Sequence, residues 1–166
     1  LGELSVLLHQ YMAELINARF ELRTKFVLPA NYRRLDRDRF RLDWSLTTEN
    51  AWRANEPGTA SPSQRIDSIV KAIGEEFEVG IRFDPLQNDP DEWGPVNYIE
   101  YMKLLTQLST RLKDRTPACF ILGSYKLTPE LKETIIKRFP ANMIPGLEWT
   151  QCPDGKLRPH RTWRLM

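Results

Sequence analysis

Four short alternating runs in this 166-residue chain end on polar residues: Thr24-Lys25, Trp44-Ser45, Asp84-Pro85 and Gly123-Ser124-Tyr125-Lys126. A lysine, hydroxyls and a carboxylate brought to one rim can bind a zwitterion. The cation and hydroxyls take its carboxylate, and acids such as Asp84 or Glu56 take its ammonium. Singly, each of these residues reads more simply as a strand terminator or cap; four in succession point to a binding rim. Phe40 to Asp67 reads as a strand running into a long polar loop before a helix, and loops of that length on a rigid scaffold are where binding chemistry concentrates.

A second cluster lies at the other end of the sequence. Lys156, Arg158, His160, Arg161 and Arg164 are opposed nearby only by Asp154. Pro153-Asp154-Gly155 marks a turn between two runs that can pair as a hairpin. Alternate residues of a strand share a face, so Lys156 and Arg158 would point together at two phosphates, with Trp149 or Trp163 free to stack on an unpaired base. The competing reading is an edge strand kept soluble by its charge.

Composition limits the classes available. With 41% hydrophobic and 28% charged residues, the chain suits one globular domain. No apolar run approaches the roughly 20 residues that cross a bilayer, and Leu1-Gly-Glu-Leu lacks both an initiator Met and a signal-peptide charge pattern. A cytoplasmic protein without membrane contact is therefore expected, with a piece of a longer chain as an open reading. A net charge of +2 does not by itself indicate a polyanionic partner. Cys119 and Cys152 stand far apart, which suits reduced thiols, and without CxxC or His-rich spacing no metal site is expected.

The elements that must position these residues alternate. A helical stripe at Leu4, Leu7, Leu8, Tyr11 and Leu15 precedes a strand from Phe20 to Phe26, and a second strand runs from Phe40 to Leu46. Between them, the charged run from Arg33 to Arg39 reads as a solvated connector. Ser61-Pro62-Ser63-Gln64 is a capping box opening a helix that buries Ile66, Ile69, Val70 and Ile73 and stops near Gly74. A third strand spans Glu78 to Phe83, and a helix carries Val96 through Leu112, with Trp93 and Tyr98 at its start expected to pack the sheet. A fourth strand spans Ala118 to Leu122, with Cys119 read as core. Thr128 then caps a last helix whose buried face is Leu131, Ile135 and Phe139. Long crossovers between strands imply parallel pairing and an α/β fold, barrel or open sheet.

The stretches ELRTKF, DWSLTTENAWRANEPGTASPSQRID, VGIRFDPL, ELKETIIKRFP and DGKLRPHRTWRL, in this order, resemble the spore photoproduct lyase family, DNA repair photolyase-like radical S-adenosylmethionine proteins. The most specific part is Glu56-x-Gly58-Thr59 with Arg65 beyond it. The resemblance implies the later part of a partial (β/α)6 TIM-like barrel over residues 1–145 and a basic C-terminal hairpin over 146–166. It implies S-adenosylmethionine as cofactor, cleaved at a [4Fe-4S] cluster, and a thymine-dimer-type lesion in DNA as substrate. Lys25 and Ser45 correspond to residues holding the methionine carboxylate, and Glu3 to the segment near its amino group. Glu56 and Asp84 fall at positions of polar support, and Lys156, Arg158, Arg161 and Arg164 would face DNA.

The sequence departs from the family pattern in two ways. The cluster needs three cysteines spaced C-x3-C-x2-C, which this chain lacks, and no hydrogen-donating cysteine stands near Gly2-Glu3. The chain alone is accordingly expected to be inactive. It should require a complementary cluster-bearing half or self-associate through the strand edge beside its first strand. A non-catalytic nucleic-acid-binding remnant of the family is the alternative.

Overall fold

The computed structural model describes residues 15, 17–86, 98–139 and 148–160. The helix expected before Leu15, with Glu3 and His9, lies outside the described residues, as do Trp93, Arg161 and Arg164. Four strands, β1 (Phe20–Thr24), β2 (Phe40–Ser45), β3 (Glu78–Phe83) and β4 (Cys119–Leu122), form one sheet in the order β1-β2-β3-β4. All three pairings are parallel. Parallel neighbours need a crossover between them, and those after β2 and β3 are helical. Helices α1 (Glu49–Asn55) and α2 (Pro62–Gly74) follow β2, α3 (Tyr98–Leu112) follows β3 and α4 (Pro129–Arg138) follows β4. The chain is α/β, as its alternating pattern implies.

Side chains alternate across each strand, and here the alternation separates two chemistries. Phe40, Leu42 and Trp44 of β2 and Val79, Ile81 and Phe83 of β3 are buried in one cluster with Ile66, Ile69 and Ala72 of α2 and Leu104, Leu108 and Leu112 of α3. Burying each large apolar side chain contributes about 1.5–3 kcal/mol, so this face holds the sheet to its helices. The Trp44 indole Nε1 donates to the Phe26 carbonyl at 3.0 Å, tying the chain just past β1 to β2. Helix α2 starts where the sequence says it must. The Ser61 hydroxyl accepts from the Gln64 backbone N–H at 3.3 Å, and the Gln64 side chain accepts from the Ser61 N–H at 2.9 Å.

Beyond the sheet, β5 (Trp149–Gln151) and β6 (Leu157–Pro159) form the antiparallel hairpin expected around the Pro-Asp-Gly turn. It joins the segment after β4 through a two-way bridge: Leu127 N–H to Leu157 O at 3.0 Å and Leu157 N–H to Leu127 O at 2.7 Å.

Several expectations are corrected. The long polar loop contains α1, because the Thr48 hydroxyl caps it by accepting from the Ala51 N–H at 3.3 Å and Ala51 is fully buried beneath it. The charged run between β1 and β2 keeps Arg33, Arg34, Arg37 and Asp38 exposed, as expected of a solvated connector, but the segment is also docked through its apolar residues. It makes a 3-10 turn over Ala30–Arg34 that buries Tyr32, followed by buried Leu35, while the Arg33 guanidinium grips the Glu75 carboxylate with both Nε and Nη2. Tyr98 is exposed instead of packing the sheet, α4 buries none of its residues, Leu131 included, and Phe139 just after it is exposed as well. Cys119 is half-buried, on the face of β4 opposite the apolar core. Among the described residues, no helix is long and apolar enough to cross a membrane.

Candidate cofactor-binding rim

In α/β architectures ligands meet the carboxyl ends of parallel strands. Thr24 pairs with Trp44, so the next residues, Lys25 and Ser45, stand on neighbouring strands at the same end; Ser45 pairs in turn with Arg82 of β3. Both are partly exposed. Asp84 follows β3 on the same rim, exposed, with its carboxylate lying across the Gly123 backbone after β4. Tyr125, in the segment after β4, is a half-buried phenol. Its pKa is pushed well above its ordinary value by burial, with the charges of Tyr101 and Glu56 adding to the effect.

The Glu56-Pro57-Gly58-Thr59 segment is what holds the rim in shape. Gly58 sits at φ +83°, a left-handed conformation that side chains disfavour, and this lets the chain reverse sharply after α1. The Thr59 hydroxyl donates to the Glu56 carbonyl at 2.8 Å, and the Ala60 N–H donates to the Lys25 carbonyl at 3.1 Å, so the turn is bonded back onto the end of β1. Arg65, fully buried in the first turn of α2, reaches under it. Its Nε donates to the Ala60 carbonyl at 2.8 Å and Nη1 to the Ser45 carbonyl at 2.8 Å. Its Nη2 donates to Glu56 Oε2 at 2.6 Å and to the Thr59 hydroxyl at 2.8 Å.

One guanidinium therefore joins β2, the turn and α2. The other Glu56 oxygen accepts from Lys25 Nζ at 2.6 Å. Burial acts to raise the Glu56 pKa, but the hydrogen bonds and charges of Lys25 and Arg65 outweigh it and hold the carboxyl below its ordinary value. The Lys25 side chain is 38% exposed and that of Glu56 only 5%, so the ammonium is the solvent-facing end of the chain of charges. An ammonium has three donors and Glu56 takes one. A carboxylate arriving from solvent can meet the others, and Ser45 stands at the same end of the neighbouring strand.

Sequence reasoning missed the charges on the sheet face opposite the helices. Asp43, fully buried, accepts from Arg82 Nε at 2.6 Å and from Arg41 Nε at 2.8 Å. Glu21 accepts from Arg82 Nη2 at 2.7 Å and also pairs with Arg41 and Arg23. Burial acts to raise the Glu21 pKa, and the surrounding arginines overcome it and lower it. Gly80 makes this possible, because a Cβ there would strike the Asp43 carboxylate. The signal was present as charged residues at alternate positions, Glu21 and Arg23, Arg41 and Asp43, Glu78 and Arg82, directly below Lys25 and Ser45.

The hairpin is less openly cationic than its sequence. Arg158 Nη1 and Nη2 donate to both Asp154 oxygens at 2.8 and 2.7 Å, and Lys126 approaches the same carboxylate at 4.0 Å. These contacts, the Arg158 hydrogen bonds first, hold the Asp154 carboxyl far below its usual range. Lys156 is half-buried, and the Lys132 ammonium sits 5.7 Å from the centre of the Trp149 ring. Among the described residues no group of three or more His, Cys, Asp or Glu side chains is arranged to hold a metal ion.

No protein-family model matches the chain, and no curated protein matches it. Solved structures do. One is a spore photoproduct lyase mutant with bound AdoMet and dinucleoside spore photoproduct (18% identity, TM-score 0.63). Another is spore photoproduct lyase complexed with dinucleoside spore photoproduct (18% identity, TM-score 0.65). A third is a further mutant of that enzyme with the same dinucleoside (19% identity, TM-score 0.65). Each comparison covers 87% of this chain and 44% of the other, so the chain spans less than half the length of the lyases it matches. The four parallel strands, their helices and the terminal hairpin thus share the fold of part of spore photoproduct lyase, a partial α/β barrel with a C-terminal hairpin.

Proposed function

We propose that this chain is the carboxyl-terminal portion of a spore photoproduct lyase-like radical S-adenosylmethionine enzyme that binds S-adenosylmethionine at the Lys25–Ser45 rim and acts on DNA. The observation that supports the reading is that Lys25 and Ser45 both stand at the carboxyl ends of adjacent parallel strands. The Lys25 ammonium pairs with the methionine carboxylate and the Ser45 hydroxyl donates a further hydrogen bond. Glu56 keeps the ammonium at the rim, and Arg65 keeps Glu56 ionised and in place. Asp84, exposed on the same rim, is available to the amino group, and Glu3 is assigned to it by the family resemblance alone, since it lies outside the described residues. When bound, S-adenosylmethionine supplies the 5′-deoxyadenosyl group on which family chemistry depends. The chain's two cysteines, Cys119 and Cys152, do not fit the cluster's three-thiolate ligand set, and no step through a cluster is assigned to these residues.

DNA is assigned to the hairpin, with Lys156, Arg158, Arg161 and Arg164 as its cations. The second reading is a nucleic-acid-binding remnant of the family without catalysis. Equilibrium dialysis of S-adenosylmethionine against the wild-type chain and Lys25→Met separates the two. A charge-assisted hydrogen bond contributes about 1.5–3 kcal/mol, so the variant should bind at least tenfold more weakly. Absence of binding to the wild type, with DNA affinity intact, would leave only the second reading.

A further inference from the structure

In this sheet the helix after β2 covers the outer face of β2 and β3, and the same arrangement would place α4 over β4. It does not do so. Phe120 and Leu122, the outward residues of β4, are exposed, Leu122 at 69%, and they open into an apolar groove of about 400 Å3 shared with Phe83, Tyr101, Met102 and Leu105. Tyr98 and Ile99 continue the apolar surface along α3. Leu131 and Ile136 of α4, and Phe139 at its C-terminal cap, are likewise exposed, Phe139 at 60%. The start of α4 is held where it is by the Leu127–Leu157 bridge and by Lys132 over the Trp149 ring. One chain therefore carries a groove without a helix and a helix without a groove among the described residues.

We propose that two copies associate about a two-fold axis, with α4 of each copy lying in the groove between α3 and β4 of the other. Eight large side chains about half exposed offer on the order of 100 Å2 apiece. One copy thus presents roughly 800 Å2, one partner's share of a standard specific interface. Exposed apolar patches beyond a few hundred Å2 mark interaction sites, and a two-fold contact uses both surfaces of both copies.

Light scattering over a range of concentrations tests this. The wild type should have the mass of a dimer. Leu122→Glu in the groove, and Phe139→Glu or Ile136→Lys on α4, should each raise the dimer dissociation constant at least tenfold while circular dichroism stays unchanged, since all three positions are exposed. An equimolar mixture of Leu122→Glu and Phe139→Glu should recover part of the dimer, because the pair retains one unaltered helix facing one unaltered groove. A wild-type monomer at all concentrations would overturn the proposal. So would a dimer that survives the α4 substitutions, or a mixture that recovers nothing.

Discussion

Replacing Glu56 by Gln is the sharpest perturbation of the rim. The substitution keeps the shape of the side chain and removes its charge from between Lys25 Nζ and Arg65 Nη2, each 2.6 Å away. One amide oxygen can still accept from one cation, and the other cation then faces an NH2 group. Lys25 can turn to water; Arg65 is fully buried and cannot. Arg65 keeps its bonds to Ala60, Ser45 and Thr59, but its charge loses its only counter-ion among the ion pairs described. Stranding one partner of a buried pair typically costs about 3–5 kcal/mol. Lys25→Met leaves the Glu56–Arg65 bond in place and removes a partly exposed cation, so its cost should stay near 1 kcal/mol or below.

Urea unfolding followed by circular dichroism reads the difference. With a slope of about 2 kcal/mol/M, the Glu56→Gln midpoint should fall by roughly 1.5–2.5 M and the Lys25→Met midpoint by about 0.5 M or less. The pH dependence supplies a second signature. The Glu56 pKa is lowered in the folded state, so its contribution is fully present above the ordinary carboxylate pKa and disappears as pH falls through the lowered folded value. That acid-limb loss should be missing in Glu56→Gln. Equal midpoints for Glu56→Gln and wild type, or a Lys25→Met cost as large as that of Glu56→Gln, would refute the role given to the Lys25–Glu56–Arg65 chain.

Other outcomes follow from the same geometry. Gly80→Ala should destabilise the protein by about 1–3 kcal/mol, visible as a lower melting temperature, because its Cβ would press on the Asp43 carboxylate that Arg41 and Arg82 hold; an unchanged melting temperature would contradict this. The Arg33 hydrogen bonds, first among the causes, lower the Glu75 pKa to about 2. In a carbon-detected NMR titration this carboxyl should therefore stay ionised far below pH 4.5 and return toward the ordinary range in Arg33→Ala. Any stability it supplies is present above pH 4.5 and lost as pH falls toward 2. Asp154→Asn should release Arg158 from its two-point clamp, strengthen single-stranded DNA binding several-fold and steepen its salt dependence by about one counter-ion; unchanged affinity would argue against the hairpin as the DNA-facing element.

What could be read from the sequence was whatever is fixed locally. The Ser61–Gln64 box and the Thr128-Pro129 start name their helices because the cap and its acceptors lie within four residues. The β2 and β3 runs announce themselves by apolar alternation, and Lys25 and Ser45 came to the same end of the sheet because parallel strands leave no other arrangement. Helix α1 was hidden because seven residues with one buried alanine carry almost no periodic signal, and the Pro-Gly turn behind them drew the whole stretch toward a loop. The arginine and carboxylate face was hidden for a different reason. Charged residues at alternate positions look the same whether they face water or one another, and only the register that sets Asp43 beside Gly80 distinguishes the two. The exposure of α4 and Tyr98 likewise depends on which distant surfaces meet. Residue types along one helix cannot specify that.

Isothermal calorimetry comparing S-adenosylmethionine with its decarboxylated analogue, on the wild type and on Lys25→Met, tests the carboxylate grip itself. The wild type should prefer S-adenosylmethionine by at least tenfold, and Lys25→Met should lose that preference while binding the decarboxylated analogue as the wild type does. Equal affinity of the wild type for both ligands, or a preference that survives Lys25→Met, would show that the Lys25–Ser45 rim does not hold a carboxylate.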